Sequence, residues 1–259
     1  MKILLLDIET APNRGFLWSI WKEVMSYNFI ESDWFIMCWA AKWLDDKKIQ
    51  SCAISDFKKY KKDTECDKEV LTRIWKLMDE ADVIVAHNAV KFDRRKINTR
   101  FILHGMPPPS PYKVIDTLLV ARQEFNFTSN KLNDIAKFLD LGQKHDTDGF
   151  KLWTDCLAGK MKAWKKMVKY CKQDVILLEK VYLKLRPYII QHPNVGVYND
   201  EIVTCCTKCG STNLRKDGHS YTNVGKFQLY ECKDCGGYSR SRKQSFEKGE
   251  TKPLLTNAC

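Results

Sequence analysis

The first apolar run of the chain, in KILLLDIE, is almost continuous, as in a central strand covered on both faces. Two further runs, WFIMCWAAKW and KIQSCAISDF, predict strands that are joined by the polar turn LDDK. The short run DVIVAHN predicts another buried strand. The sheet is therefore expected to form mainly from the first part of the chain.

Apolar residues at helical spacing dominate the segments that follow. KEVLTRIWKLMDEA predicts one helix, and FDRRKINTRFILHG predicts another that ends at MPPPSP. VIDTLLVARQEF and KLNDIAKFLDLG continue a helix-rich second half. A long helix is predicted from about Met161 to Leu185, before Pro187, with the apolar stripe Trp164, Val168, Cys171, Val175, Leu178, Tyr182 and Leu185. This order of elements predicts an α/β fold, a mixed sheet flanked by helices.

The helical pattern ends soon after Pro187, and this change predicts the domain organisation. We expect a main domain at residues 1–190 and a Pro-, Gly- and Asn-containing linker at 191–204. A small cysteine-rich β domain is expected at 205–240, followed by a polar tail at 241–259.

Composition narrows the class of partner. The 259 residues carry a net charge of +11, which favours a polyanion, nucleic acid before an anionic membrane. No apolar run approaches the roughly 20 residues that span a bilayer. MKILLLDIET lacks a cleavage-site pattern and predicts a buried strand, not a signal peptide. With eleven cysteines and no signal peptide, a reducing cytoplasm is expected, host cytoplasm if the protein is viral.

Four cysteines have the spacing of a metal site. Cys206 and Cys209 form one C-x₂-C pair and Cys232 and Cys235 a second, and each pair is followed by glycine. This arrangement predicts a closed structural Zn²⁺ site in a zinc ribbon, because so short a segment has little core of its own. Cys205 competes for the place of Cys206, although the x₂ spacing favours Cys206.

Basic and aromatic residues alternate along the predicted hairpin between the cysteine pairs. Such interleaving suits contact with a nucleic-acid strand; the residues are Arg215, Lys216, Tyr221, Lys226, Phe227 and Tyr230. The alternatives are that the aromatic rings only pack the hairpin, Phe227 in particular, or that the ribbon docks a replication or repair protein.

Four acids are expected at neighbouring ends of the sheet. Asp7 and Glu9 end the first strand on one face, Asp93 follows a strand, and Asp174 borders the stripe of the last helix. Taken singly, each acid has an ordinary structural explanation. Asp7 and Glu9 could be solvated residues at a strand end, Asp93 could begin a helix, and Asp174 could be a polar residue beside a buried stripe. Together they would repel one another unless cations bound between them, and carboxylates select Mg²⁺ or Mn²⁺.

Two such ions could support phosphodiester hydrolysis. Tyr170, one turn before Asp174, would then position the attacking water. Asp116 in VIDTLL is a rival acid but has the position of a helix N-cap, and His87 more naturally supports its strand end than binds metal.

LLLDIET, HNAVKFD and YCKQD together resemble the three motifs of DEDD-type 3′→5′ exonucleases, over about residues 1–190. Tyr170-x₃-Asp174 resembles the tyrosine subclass, whereas the histidine subclass would carry histidine where this chain has Lys169. The resemblance implies a ribonuclease-H-like fold and two catalytic Mg²⁺ or Mn²⁺ ions. It also implies that Asp7, Glu9, Asp93, Tyr170 and Asp174 form the catalytic set.

The same resemblance places Thr10, Asn88 and Phe92 around the 3′-terminal nucleotide. Asn88 could instead cap a helix, and Phe92 could be core. LGQKHDTDGFKLW resembles a loop of phage exonucleases in which Lys144 would meet a phosphate, although a solvated lysine is the simpler interpretation. An exonuclease domain followed by a zinc ribbon is similar to a group of bacteriophage exonucleases.

The expected function is two-metal 3′→5′ hydrolysis at single-stranded ends, DNA in preference to RNA, with no membrane partner. An RNase D-like ribonuclease is the alternative enzyme. A nucleic-acid-binding adaptor on an inactive nuclease fold is the alternative from another class, and the complete set of acids argues against it.

Overall fold

The computed structural model describes residues 1–19, 26–143, 149–200 and 203–246. The chain divides into two compact units. One comprises Lys2–Tyr182, and the other begins at Leu183 and also takes in Met1. Among the described helices, none combines the length and the apolar character that crossing a membrane requires.

A five-stranded mixed sheet forms the centre of the first unit. The strands up to residue 116 are β1 (Ile3–Thr10), β2 (Arg14–Gly15), β3 (Ile30–Ser32), β4 (Ile36–Trp43), β5 (Ile49–Ala53), β6 (Val83–Ala86) and β7 (Lys113–Asp116). The sheet order is β5-β4-β1-β6-β7, while β2 and β3 pair separately. β4 runs antiparallel to β1 and β5, whereas β1, β6 and β7 are parallel. The predicted mixed sheet is therefore present.

The α-helices other than α5 carry the apolar spacing described above. They are α1 (Lys68–Glu80), α2 (Asp93–Leu103), α3 (Thr117–Glu124), α4 (Leu132–Phe138), α5 (Lys151–Leu157) and α6 (Met161–Leu185). The predicted α6 stripe is buried, except that Val168 is only half-buried. In α1 the apolar residues Val70, Leu71, Ile74 and Met78 are buried. Trp75 is half-buried, and its indole N–H donates to the carbonyl of Pro107 at 2.7 Å.

Two elements differ from the sequence expectation. The segment VIDTLLVARQEF was assigned to the helix-rich second half, with Asp116 at the position of a helix N-cap. α3 does begin at Thr117, directly after Asp116, but the residues before it form β7, an edge strand of the sheet that the sequence did not predict. The Asp116 side chain accepts from the backbone N–H groups of Leu118 and Leu119, so the helix starts at this cap. α5 was not predicted either.

The second unit contains a three-stranded antiparallel sheet in the order β10-β9-β8. The strands are β8 (Leu214–Tyr221), β9 (Lys226–Cys232) and β10 (Tyr238–Gln244). β10 continues past residue 240, so the segment from residue 241 begins as a paired strand and not as the expected polar tail. Residues 194–198 also differ from a free linker: Val195 N–H donates to the carbonyl of Thr207 at 2.8 Å.

Candidate active site and cysteine cluster

Three of the four predicted acids converge in the first unit. One carboxylate oxygen from each of Asp7, Glu9 and Asp174 lies within 4.8 Å of the others. Asp7 and Glu9 share a face of β1 because side chains alternate along a strand. Asp174 is buried on the inward face of α6. Among the described carboxylates, these three form a cluster close enough to hold a metal ion, and we call them the acid group.

The position of Asp7 is fixed from two sides. In the sheet it pairs with Ala40 of β4, and Glu9 pairs with Cys38. From α6, the thiol of Cys171 lies 3.4 Å from Asp7 Oδ2 and 3.5 Å from the Asp7 carbonyl oxygen. Burial raises the pKa of Cys171 well above its usual range, so this thiol is protonated and donates. The helix therefore holds the strand's acid through a neutral donor.

Asp93 lies beside this group and not within it. It is the first residue of α2, and its buried carboxylate accepts from its own backbone N–H and from that of Ile8, the residue between Asp7 and Glu9. Burial raises the pKa of Asp93 to about 7, despite these hydrogen bonds. β1 pairs with β6 only as far as Leu5. The Ile8 N–H therefore lies beyond the last residue that pairs with β6, and Asp93 accepts from it.

Tyr170 is half-buried one turn before Asp174 on α6. Its ring meets that of Trp153 edge to face, with centroids 6.3 Å apart at an interplanar angle of 73°. Trp153 belongs to α5, the helix that the sequence did not predict. The contact orients the tyrosine from a second element.

Asp116 and His87 have structural roles, as expected. Asp116 accepts from four backbone N–H groups: those of Leu118 and Leu119 in α3, and those of Asn88 at 2.9 Å and Val90 at 3.0 Å. His87 uses both ring nitrogens, which lie 2.9 Å from Thr117 Oγ1 and 2.9 Å from the Asn130 carbonyl oxygen. Neither side chain is a member of the acid group, which consists of Asp7, Glu9 and Asp174.

The turn after β6 departs from a simple helix cap. Asn88 adopts a left-handed backbone with φ of 75°, which asparagine tolerates better than most residues. The N-cap of α2 is Phe92, so the alternative in which Asn88 caps this helix is wrong. Phe92 is half-buried and not core.

A cavity of about 520 Å³ opens beside the end of β1, lined by Thr10 and by the segment that follows it. Its aromatic walls are Trp34, Phe150 and Trp153. Lys96 Nζ lies 3.5 Å from the centroid of the Trp34 ring, and burial lowers the pKa of this ammonium. Sequence reasoning missed these walls because they come from loops and helix ends without periodic signals. Lys144 lies outside the described residues.

The four predicted cysteines meet in the second unit. Their sulfur atoms lie within 4.8 Å of one another; Cys206 Sγ is 3.6 Å from Cys235 Sγ, and Cys209 Sγ is 3.6 Å from Cys232 Sγ. Cys205 is not a member of the group, which agrees with the x₂ spacing. Among the described cysteines, all are free of disulfide bonds.

The two cysteine turns repeat the same hydrogen bonds. Gly210 N–H donates to the Cys206 carbonyl and Gly236 N–H to the Cys232 carbonyl, each at 2.9 Å, with φ of 78° and 76° at the glycines. Lys208 N–H and Gly237 N–H lie 3.4 Å from Cys206 Sγ and Cys235 Sγ. Burial opposes ionisation of the Cys232 thiol, but hydrogen bonds from the backbone of Cys235 and Asp234 and from the Cys209 and Cys235 side chains together lower its pKa to about 7.

Both donor sets fit metals. Three clustered carboxylates suit a hard cation such as Mg²⁺ or Mn²⁺, and the four sulfur atoms, supported by backbone N–H groups, suit Zn²⁺.

Comparison with known proteins assigns the first unit to a family. The family model RNase_H_2, of the RNase H superfamily, matches residues 6–186. The chain therefore belongs to the RNase H superfamily, a membership that supports a nuclease function. No curated protein sequence matches it significantly.

The fold is also similar to part of the family B DNA polymerase from the hyperthermophilic archaeon Pyrobaculum calidifontis. The alignment has a TM-score of 0.52 at 16% identity and covers 73% of this chain. It covers only 25% of the polymerase, so the likeness concerns the fold of a quarter of that protein.

Proposed function

We propose that this protein is a metal-dependent exonuclease of the DEDD tyrosine subclass that shortens single-stranded nucleic acid from the 3′ end, DNA in preference to RNA. The observation that carries the proposal is the convergence of Asp7, Glu9 and Asp174 within 4.8 Å, from β1 and α6, in an RNase H superfamily fold. The net charge of +11 and the motif order in the sequence also support it.

Asp7, Glu9 and Asp174 would hold the catalytic cations, and Asp93 would join them after losing its proton. When bound, two divalent cations supply an activated water and stabilise the leaving 3′ oxygen. The thiol of Cys171 keeps Asp7 turned toward the group, since it donates to one of its oxygens. Convergent acids that repel one another in the free protein are preorganised to receive cations.

Tyr170 would position the attacking water through its phenolic oxygen, because the Trp153 contact limits the orientations of the ring. The aromatic cavity beside Thr10 would receive the terminal nucleoside. Its base can stack on an indole ring, and stacking of this kind requires an unpaired strand. Asn88 and Phe92 precede Asp93 and would contact the same nucleotide.

In the second unit, Cys206, Cys209, Cys232 and Cys235 would hold one structural Zn²⁺, and the ribbon would grip the polymer. The guanidinium of Arg240 lies 4.2 Å from the centroid of the Phe227 ring, and Tyr221 is exposed. A Cβ at Gly225 would lie 2.6 Å from Phe227, so Phe227 packs tightly within its hairpin. Tyr221 is therefore the better candidate for base contact.

The test uses 5′-labelled DNA and RNA oligonucleotides of equal sequence with purified protein, with Mn²⁺ or without divalent cation. We expect a ladder that shortens from the 3′ end on DNA, and its loss in Asp7→Asn and Asp174→Asn. Asp140→Asn is the matched control, since Asp140 is exposed with φ of 54°, which asparagine accepts. Wild-type turnover in Asp7→Asn would refute the site.

The same assay separates the alternatives. Shortening of RNA alone would establish an RNase D-like ribonuclease. Binding without hydrolysis of either polymer under all metal conditions would establish a nucleic-acid-binding adaptor.

A further inference from the structure

A second cavity, of about 590 Å³, runs along the β5 edge of the main sheet. Basic side chains from three elements line it: Lys48 before β5, Arg73 and Lys76 on α1, and Lys172 on α6. We call this cavity the edge groove.

The charge of the edge groove is not neutralised. None of its four cations forms an ion pair with any residue that the structure describes. Glu80 is the acid in the described lining, and it pairs with Lys2 at 3.5 Å. Four cations gathered on one concave surface raise the local concentration of a polyanion.

The wall of the edge groove also offers hydrogen-bonding groups. β5 pairs with β4 and stands at the end of the sheet order, so its other edge has no neighbouring strand among the described elements. Gln50 and Ser51 lie on this strand and line the groove. An extended anionic chain could thus meet both cations and polar groups along one line.

The strand register relates the edge groove to the acid group. Ser51 pairs with Ala40, and Ala40 pairs with Asp7. Adjacent strands lie about 4.8 Å apart, so Ser51 is roughly 10 Å from Asp7 across the sheet. At about 3.4 Å per stacked nucleotide, that distance is on the order of three nucleotides. Lys172 lies on α6 between Tyr170 and Asp174 in sequence.

We infer that the edge groove binds the phosphates of the nucleic-acid strand whose end occupies the acid group, a few nucleotides from that end. This inference rests on the proposed function. An acidic peptide would also complement the charge. The substrate strand is favoured because Ser51 of the groove is only two strands from Asp7, and because Lys172 lies on the same helix as Tyr170 and Asp174. The edge groove would thereby make binding depend on strand length.

The test compares two triple variants of the full chain. Lys48, Lys76 and Lys172 are changed to alanine in the groove variant. In the control variant, the exposed residues Lys62, Lys131 and Lys137 are changed to alanine, which removes the same charge elsewhere. Binding of 5′-labelled thymidylate 2-mer and 20-mer is measured across a salt series without Mg²⁺ or Mn²⁺, and the KM for each length is measured with Mn²⁺.

For the 20-mer, we expect the groove variant to lower the log–log salt slope by up to about 2, because each lost phosphate contact contributes about 0.7. The ratio of its KM for the 2-mer to its KM for the 20-mer should also fall. The control variant should follow the wild type. Equal slopes and KM ratios in both variants would overturn the inference, as would a 20-residue polyglutamate that binds the wild type, but not the groove variant, and leaves the 20-mer bound.

Failure of the proposed function gives a different result. In that case the wild type would hydrolyse neither length, whereas a weaker salt slope of the groove variant alone would still support the edge groove.

Discussion

Asp67 and Arg100 form a buried bidentate ion pair beneath the start of β4. Arg100 Nε lies 2.7 Å from Asp67 Oδ2, and Arg100 Nη2 lies 2.9 Å from Oδ1. The same carboxylate accepts from Ile36 N–H at 2.9 Å and meets His104 Nε2 at 2.7 Å. Arg100 Nη1 also donates to the Trp34 carbonyl. This network fixes where β4 begins and the position of Trp34 in the wall of the cavity beside Thr10.

Asp67→Asn should therefore destabilise the protein strongly. The change leaves the Arg100 charge buried and presents an amide donor where donors already converge, so we expect a loss of about 3–5 kcal/mol in the free energy of unfolding. Urea unfolding followed by tryptophan fluorescence measures it. Arg14→Gln, which breaks the partly exposed pair with Glu65, should cost about 1 kcal/mol or less. Equal losses in the two variants would contradict the role of the network.

Tyr170→Phe removes one hydroxyl and keeps the edge-to-face contact with Trp153. Turnover of a single-stranded oligonucleotide should fall by roughly 10-fold or more, a positioning loss of about 1.4 kcal/mol. Mn²⁺ affinity, measured by calorimetry, should stay at the wild-type value because the acids are unchanged. An unaltered rate would reduce Tyr170 to a packing residue.

Asp93→Asn should change how stability depends on pH. Burial raises the pKa of Asp93 to about 7 in the folded protein, against about 3.9 when unfolded. Between these values the folded state binds the extra proton, so the contribution of Asp93 to wild-type stability falls as pH rises from about 4 to 7 and levels off above. The variant lacks this decline.

Unfolding is measured from pH 4 to 8 in buffer without Mg²⁺ or Mn²⁺. The stability of Asp93→Asn relative to wild type should rise across that window, and Asp140→Asn should track the wild type. Parallel curves for Asp93→Asn and wild type would show that the Asp93 carboxyl is ionised throughout.

Adjacent cysteines provide a matched test of the proposed zinc site. Cys206→Ser should lower the zinc content per chain measured by atomic absorption, because it removes one of four clustered sulfur atoms. Cys205→Ser should keep its zinc. Loss of zinc in Cys205→Ser with retention in Cys206→Ser would reverse the ligand assignment.

The sequence predicts those parts of the fold in which a local residue pattern is compatible with only one structure. The continuous apolar run of β1 and the stripe of α6 both form as expected, and the C-x₂-C spacing selects Cys206 over Cys205. Asp7 and Glu9 lie together because alternation along a strand demands it. These features depend on local periodicity alone.

Tertiary contacts decide the parts that the sequence does not predict. β7 has only four residues and leads directly into α3, so its apolar residues are too few to be recognised as a separate strand. The Asp93 carboxylate accepts from the Ile8 N–H, which is accessible because the pairing between β1 and β6 ends at Leu5. Trp34 and Lys96 meet because the Asp67 network holds their elements together, and no local pattern announces such a contact.

The separation of Asp7 and Cys171, 164 residues along the chain, has a consequence for synthesis on the ribosome. At roughly 5–20 residues per second, β1 emerges about 8–30 s before the part of α6 that completes the acid group. Until then Asp7 and Glu9 lack their third partner. The nascent chain therefore has no assembled acid group until the part of α6 that carries Asp174 has been translated, and the three acids come together only after most of the chain has been made.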